Sequence, residues 1–164
     1  MIEINIAREI ADFKTIEKLA NEIFHEVYDS FIPSNHTDAF LNEFQTKKAI
    51  EGQILNENFR YYLLRFNNQT VGYLALQEGN DKLILSKFYI LESFRGYKIG
   101  KTVFEFVIEF ANKNKFVAIE LIVKEENKKA IDIYLKRGFK IIETIVNTFT
   151  DGYVMTDYKM KKIV

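Results

Sequence analysis

The sequence contains no cysteine, which excludes disulfides, thiolate metal sites and a cysteine nucleophile. Its only histidines are His25 and His36, too few for a histidine-rich metal centre. It has no excess of either charge: 23 lysines and arginines balance 23 aspartates and glutamates. A nucleic-acid-binding domain normally carries a basic surplus or a strongly basic face, so that class of partner is disfavoured. No apolar run is long enough to span a bilayer, and Met1-Ile2-Glu3-Ile4-Asn5 is not a basic stretch leading into an apolar core. The expectation is a cytoplasmic protein with no metal, membrane or nucleic-acid partner. Proline occurs once, as Pro33, and glycine seven times. With so few of either, a loop glycine points to a backbone requirement.

What is present is an ordinary folded composition. Of 164 residues, 48% are hydrophobic and 28% charged, which suits one domain, residues 1–164, with a substantial core. Ile2, Ile4 and Ile6 alternate with polar residues and predict a half-buried first strand. Asp12 is placed to cap a helix in which Phe13, Ile16, Leu19, Ala20, Ile23, Phe24 and Val27 recur at helical spacing. That helix ends before Pro33, and a second starts near Thr37, with residues 47–55 continuing it or breaking from it. Residues 59–66 and 70–77 form a hairpin around Asn67-Asn68-Gln69, and Gly79-Asn80-Asp81 leads to a third strand. After it come a helix to about Asn114, a buried strand at 116–123, and a helix from Asn127 with Ala130, Ile131, Tyr134 and Leu135 on its apolar side. Gly138 ends that helix, and residues 139–147 and 153–161 close the chain as strands. The order predicts a single α/β (α+β) domain whose central strand–helix–strand unit is parallel with a right-handed crossover.

Residues 83–104 carry the chemistry. A strand leads to a turn containing Arg95, Gly96, Lys98, Gly100 and Lys101, and the turn opens a helix. Backbone N–H groups and the positive helix end then converge with basic side chains, which makes an anion site. Gly96-Tyr97-Lys98-Ile99-Gly100-Lys101-Thr102 ends like a P-loop, but three residues separate its glycines where four are needed. The strand at 116–123 also runs into Lys124 and Glu125, with no aspartate at its tip to hold magnesium. The paired glycines of a dinucleotide fold are absent as well.

The stretch resembles the pyrophosphate loop of the GCN5-related N-acetyltransferases, Arg/Gln-x-x-Gly-x-Gly/Ala, with Arg95, Lys98 and Gly100 at its defined positions. Lys98 stands where that family usually has glycine, and a negative φ would let it still present its N–H. A second stretch, Val123, Asn127, Ala130, Tyr134, Gly138 and Phe139, matches the family's later motif in spacing. Ile23-Phe24-His25-Glu26-Val27-Tyr28, the helical insert after it and Thr156-Asp157-Tyr158-Lys159-Met160 are most similar to bacterial polyamine acetyltransferases of the spermidine type. The resemblance implies a mixed sheet of about seven strands with about four helices, splayed at the strands flanking the coenzyme-loop helix. It implies acetyl-coenzyme A as cosubstrate, a small-molecule primary amine as partner, and a homodimer.

By the same resemblance, Phe88, Tyr89 and Ile90 offer backbone to the pantetheine arm and the thioester oxygen. Arg95, Gly96, Tyr97, Lys98, Ile99, Gly100, Lys101 and Thr102 form the pyrophosphate site. Asn127, Ala130 and Lys136 face the coenzyme, and Tyr134 is the general acid that protonates the leaving thiolate. A glutamate common before the loop is replaced by Leu85-Ser86-Lys87, which leaves Glu120, His25, Glu26, Asp29 or a water chain as base. Glu26, Tyr28 and Asp29 are the candidates to meet the acceptor. A non-catalytic acyl-coenzyme A sensor and a peptide N-acetyltransferase stay open as alternatives.

Overall fold

A computed structural model describes all residues, 1–164. The alternation at the N-terminus gives strand β1, Ile2–Ile6, with its isoleucines half-buried and Glu3 and Asn5 exposed. It pairs antiparallel with β2, Phe59–Phe66, which turns into β3, Gln69–Glu78. Asn67 and Asn68 form this turn with φ of 49° and 65°. Two left-handed residues match the right-handed twist of the strands, and asparagine tolerates that backbone better than most residues.

Helix α1, Ile10–Tyr28, buries Phe13, Ile16, Leu19, Ala20, Ile23 and Phe24 along one stripe. Its opening corrects the expectation for Asp12. Glu9 precedes the helix, and the Asp12 carboxylate, inside the first turn, accepts N–H groups from Arg8 at 2.9 Å and Glu9 at 3.1 Å. A carboxylate one turn in can reach back to the free donors ahead of the helix. Helix α2, Ser34–Phe44, starts immediately after Pro33, earlier than its apolar residues indicate. Residues 47–56 break away as α3, Lys47–Asn56, because the Thr46 hydroxyl accepts the Ala49 N–H at 3.1 Å and starts a new helix. In all, the chain has five α-helices where the resemblance implied about four.

The remaining elements are β4 (Lys82–Ile90), a 3-10 turn (Glu92–Phe94), α4 (Ile99–Lys113), β5 (Ala118–Lys124), α5 (Lys128–Lys136), β6 (Lys140–Thr148) and β7 (Val154–Ile163). The strands form one seven-stranded mixed sheet in the order β1-β2-β3-β4-β5-β7-β6. The chain falls into two compact units: residues 1–78 with 86–107, and residues 79–85 with 108–164.

In the first unit, the α1 stripe packs with Leu41, Ile50, Tyr61, Tyr73 and Ala75 into one apolar cluster. A buried polar chain runs through it. Tyr73 donates to Gln45 Oε1 at 2.6 Å, Gln45 Nε2 donates to the Tyr61 hydroxyl at 2.9 Å, and Tyr61 donates to Gln53 Oε1 at 2.6 Å. Burial pushes both phenols well above their ordinary pKa, so they remain neutral donors. Glutamines at these two positions therefore tie α3 and the link before it to β2 and β3.

In the second unit, Lys82, Leu83 and Ile84 pair in parallel with Ala118, Ile119 and Glu120. β7 pairs antiparallel with β5 on one side and β6 on the other. No helix is long and apolar enough to cross a membrane.

Candidate functional site

The predicted anion site begins where β4 ends. The Leu91 N–H is held by the Val71 carbonyl at 2.8 Å, and the 3-10 turn follows. β3 approaches this end of β4 so closely that a Cβ placed on Gly72 would run into the Tyr89 carbonyl oxygen. Arg95 lies exposed just beyond, its Nε donating to the Ile90 carbonyl at 3.1 Å. The guanidinium is thereby oriented by the strand whose backbone is expected to meet the coenzyme arm.

The turn then needs left-handed backbone twice, at Gly96 with φ 91° and at Lys98 with φ 60°. The expectation of a negative φ at Lys98 is overturned. The lysine adopts the backbone that a glycine would adopt freely, at a cost of about 1–2 kcal/mol from the Cβ contact with its own backbone. Tyr97 rests its ring on Phe66 with centroids 5.3 Å apart, and Ile99 is buried, so the turn is fixed from both sides of Lys98. The Thr102 N–H reaches the Lys98 carbonyl at 3.4 Å, which opens α4. The N–H groups of its first turn have no acceptor inside the helix and carry the positive end of its dipole. A Cβ added to Gly96 or Gly100 would meet nothing within 4 Å, so the turn faces open space. Free donors, a helix N-terminus, Arg95, Lys98 and Lys101 fit a pyrophosphate.

Along β4, Phe88 is half-buried with its ring 5.8 Å from Phe104, and Tyr89 sits among Phe24 and Tyr73 with centroids 4.7 and 5.8 Å away. The Tyr89 hydroxyl bonds the Tyr28 hydroxyl at 2.7 Å, which joins one acceptor candidate to the proposed pantetheine strand. The acids of α1 have partners that sequence spacing did not disclose. Glu26 accepts the Glu92 N–H at 3.1 Å and lies 3.6 Å from Arg95, so it steadies the anion turn. His25 is bracketed by Asp29 at 2.8 Å from Nδ1 and Asp38 at 2.9 Å from Nε2. Both ring nitrogens face carboxylates, an arrangement that favours the imidazolium. The hydrogen bond to Asp29 is the largest cause raising the His25 pKa, with Asp38 adding to it against desolvation.

The second unit holds the other motif. The Asn127 side chain caps α5, accepting the Ala130 N–H at 3.4 Å. Ile131 is buried, whereas Leu135, expected on the same face, is about half exposed. Tyr134 is half-buried, its ring set edge-on to Phe139 with centroids 5.7 Å apart. Gly138 takes φ 92°, and the Phe139 N–H returns to the Tyr134 carbonyl at 3.0 Å, a left-handed helix stop that fixes the tyrosine backbone. Lys136 is exposed. Glu120, a base candidate, is buried and paired with Lys82 at 3.3 Å. Asp157, which the sequence offers only as part of its closing stretch, is a buried carboxylate on β7 paired with Lys124 at 3.0 Å; the cross-strand register brings the two together.

The profile of an acetyltransferase (GNAT) domain matches residues 18–162. The chain is 23% identical over 139 residues to the spermidine N(1)-acetyltransferase of Thermoplasma acidophilum, covering 82% of this chain and 86% of that protein. It is similar in fold to the crystal structure of the PaiA N-acetyltransferase of Thermoplasma acidophilum in complex with coenzyme A. That match has a TM-score of 0.81 at 20% identity, covering 100% of this chain and 99% of the other. The spermidine/spermine N-acetyltransferase of Vibrio cholerae matches with a TM-score of 0.70 at 19% identity, covering 99% and 92%.

Proposed function

This chain belongs to the GNAT acetyltransferase family, and we propose that it transfers acetyl from acetyl-coenzyme A to the primary amine of a small molecule, with Tyr134 as general acid. The observation that carries the reading is the left-handed turn at Gly96 and Lys98, which follows β4 and its 3-10 turn, opens α4 and has open space beside Gly96 and Gly100. The coenzyme supplies the activated acetyl thioester. Arg95, Lys98, Lys101 and the first turn of α4 hold its pyrophosphate. The backbone of Phe88, Tyr89 and Ile90 meets the pantetheine arm and stabilises charge developing on the thioester oxygen.

The acceptor enters as an ammonium and loses one proton before attack and one after it. Glu120 is paired with Lys82, and His25 is enclosed by two aspartates, so water carries these protons in preference to either side chain. The N–C bond forms as the C–S bond breaks, and the Tyr134 hydroxyl gives its proton to the thiolate. A phenol and a thiol differ by about two pKa units or less, which makes the transfer feasible at neutral pH. Spermidine, named for the Thermoplasma relative, is a small primary amine, and this supports that class of acceptor. The test follows thiol release from acetyl-coenzyme A against polyamines, amino acids, peptides and aminoglycosides. Turnover with a small amine is expected; turnover confined to peptides would overturn the acceptor class.

A further inference from the structure

The first unit contains a pocket of about 260 Å³ beside β4. Its walls are Phe40 and Phe44 from α2, Phe59 from β2, Glu57 after α3 and Lys87 from β4. Lys87 lies on β4, the strand assigned to the reacting thioester, and shares a face of it with Tyr89 two residues on. The volume lies just below the ~300–1,000 Å³ typical of ligand pockets and suits a molecule of amino-acid size.

Three features describe its occupant. The phenylalanine wall is unusually open: Phe40 and Phe44 are 36% and 40% exposed, with rings 4.9 Å apart. Large aromatics left open beside a concavity mark a surface for an apolar body. The floor is preformed, because Gln53, also in the lining, donates to the Phe44 carbonyl at 2.8 Å and joins the buried chain through Tyr61. The charges have opposite sign. The Lys87 ammonium lies 5.5 Å from the centre of the Phe40 ring and donates to Ser86 Oγ at 3.0 Å, while Glu57 lines the same pocket. A polycation entering here meets an ammonium already in position, and a single carboxylate cannot offset several added charges. A molecule carrying one ammonium and one carboxylate matches both signs.

We infer that the pocket formed by Phe40, Phe44, Phe59, Glu57 and Lys87 binds the acceptor as a zwitterion, an apolar α-amino acid whose carboxylate is held by Lys87 and whose side chain lies among the phenylalanines. The inference rests on the small-amine reading and narrows it. Lys87 is then the residue that decides specificity. The α-ammonium first loses a proton to water; its nitrogen bonds the acetyl carbon as the thioester C–S bond breaks, a second N–H proton leaves to water, and the thiolate takes up a proton from Tyr134.

The experiment measures thiol release from acetyl-coenzyme A with L-phenylalanine, L-phenylalaninamide and spermidine, for the native protein and Lys87→Gln. The amide keeps the amine and ring but lacks the carboxylate. Native kcat/KM should be at least ~10-fold higher for phenylalanine than for either other amine. Lys87→Gln should abolish that preference by lowering kcat/KM for phenylalanine at least ~10-fold with little loss for the amide or spermidine, and a native-like thermal melt reports an intact fold. Spermidine as the best native acceptor would overturn the zwitterion and leave the small-amine reading standing. Equal losses on all three amines would overturn the role of Lys87. Absence of release with all three would instead sink the small-amine reading; calorimetry of L-phenylalanine with the coenzyme-loaded protein then decides the pocket, with binding supporting it and none refuting it.

Discussion

Replacing Gly72 with alanine probes the junction on which the coenzyme strand depends. The added Cβ would overlap the Tyr89 carbonyl oxygen and lie 3.0 Å from the Ile90 Cα. Both obstacles are backbone, so no rotamer change relieves them, and β3 and the end of β4 must move apart. Overpacking costs roughly 1–3 kcal/mol, and a backbone obstacle belongs at the upper end. For a chain of this size each kcal/mol lowers the melting temperature by about 2–4 °C, so a loss of about 6–12 °C is expected. Tyr89 and Ile90 are also expected to meet the pantetheine arm, so coenzyme affinity should fall together with stability. Gly52 provides the internal control: it lies within α3 and a Cβ there meets nothing within 4 Å. Gly52→Ala should stabilise by about 0.5–1 kcal/mol through helix propensity alone. Thermal melts with and without coenzyme A read both variants. If Gly72→Ala melts with the native protein and binds coenzyme equally well, the close approach of the strands is not what shapes this site.

The other predictions address the turn, the buried polar chain and the histidine. Lys98→Gly should leave stability within about 1 kcal/mol of native, because relief of the left-handed strain opposes the added freedom of the unfolded chain. Its coenzyme affinity should weaken several-fold as a phosphate-facing charge is lost, and unchanged affinity at low salt would rule out that contact. Tyr73→Phe leaves Gln45 Oε1 without its 2.6 Å donor inside the core and should cost about 1–3 kcal/mol in urea unfolding. The raised His25 pKa makes the Asp29–His25–Asp38 link favour folding fully below the unfolded value near 6.5, with the contribution lost as pH rises through the folded value. The link is partly exposed, so the loss should be about 1 kcal/mol at most. Urea midpoints measured from pH 5.5 to 9 should fall over this window in the native protein and lose that component in His25→Asn; identical profiles would contradict the link.

The elements carried by hydrophobic period were legible in the sequence. The alternation in β1, the stripe of α1 and the left-handed stop at Gly138 all appear at the expected residues. Boundaries set by a single polar contact were not. Thr46 divides α3 from α2, and Asp12 acts from inside its helix, because each depends on which N–H group is within reach. The site was read as a string of motif positions, which carried no information on partners far along the chain. Glu26 meets Glu92 and Arg95, and His25 meets Asp38, only once α1, α2 and the turn are assembled. Lys98 shows the reverse case: the motif located the residue, but its φ is set by the turn and not by the side chain's own preference.

The measurement closest to the central claim is single-turnover and steady-state thiol release by Tyr134→Phe, with coenzyme affinity measured in parallel. The substitution removes one hydroxyl and keeps the ring against Phe139. A general acid contributes about 10²–10⁴ in rate, so kcat should fall by at least ~100-fold while the coenzyme Kd stays within ~2-fold of native. Native turnover in Tyr134→Phe would show that the thiolate is protonated elsewhere and that the proposed mechanism is wrong.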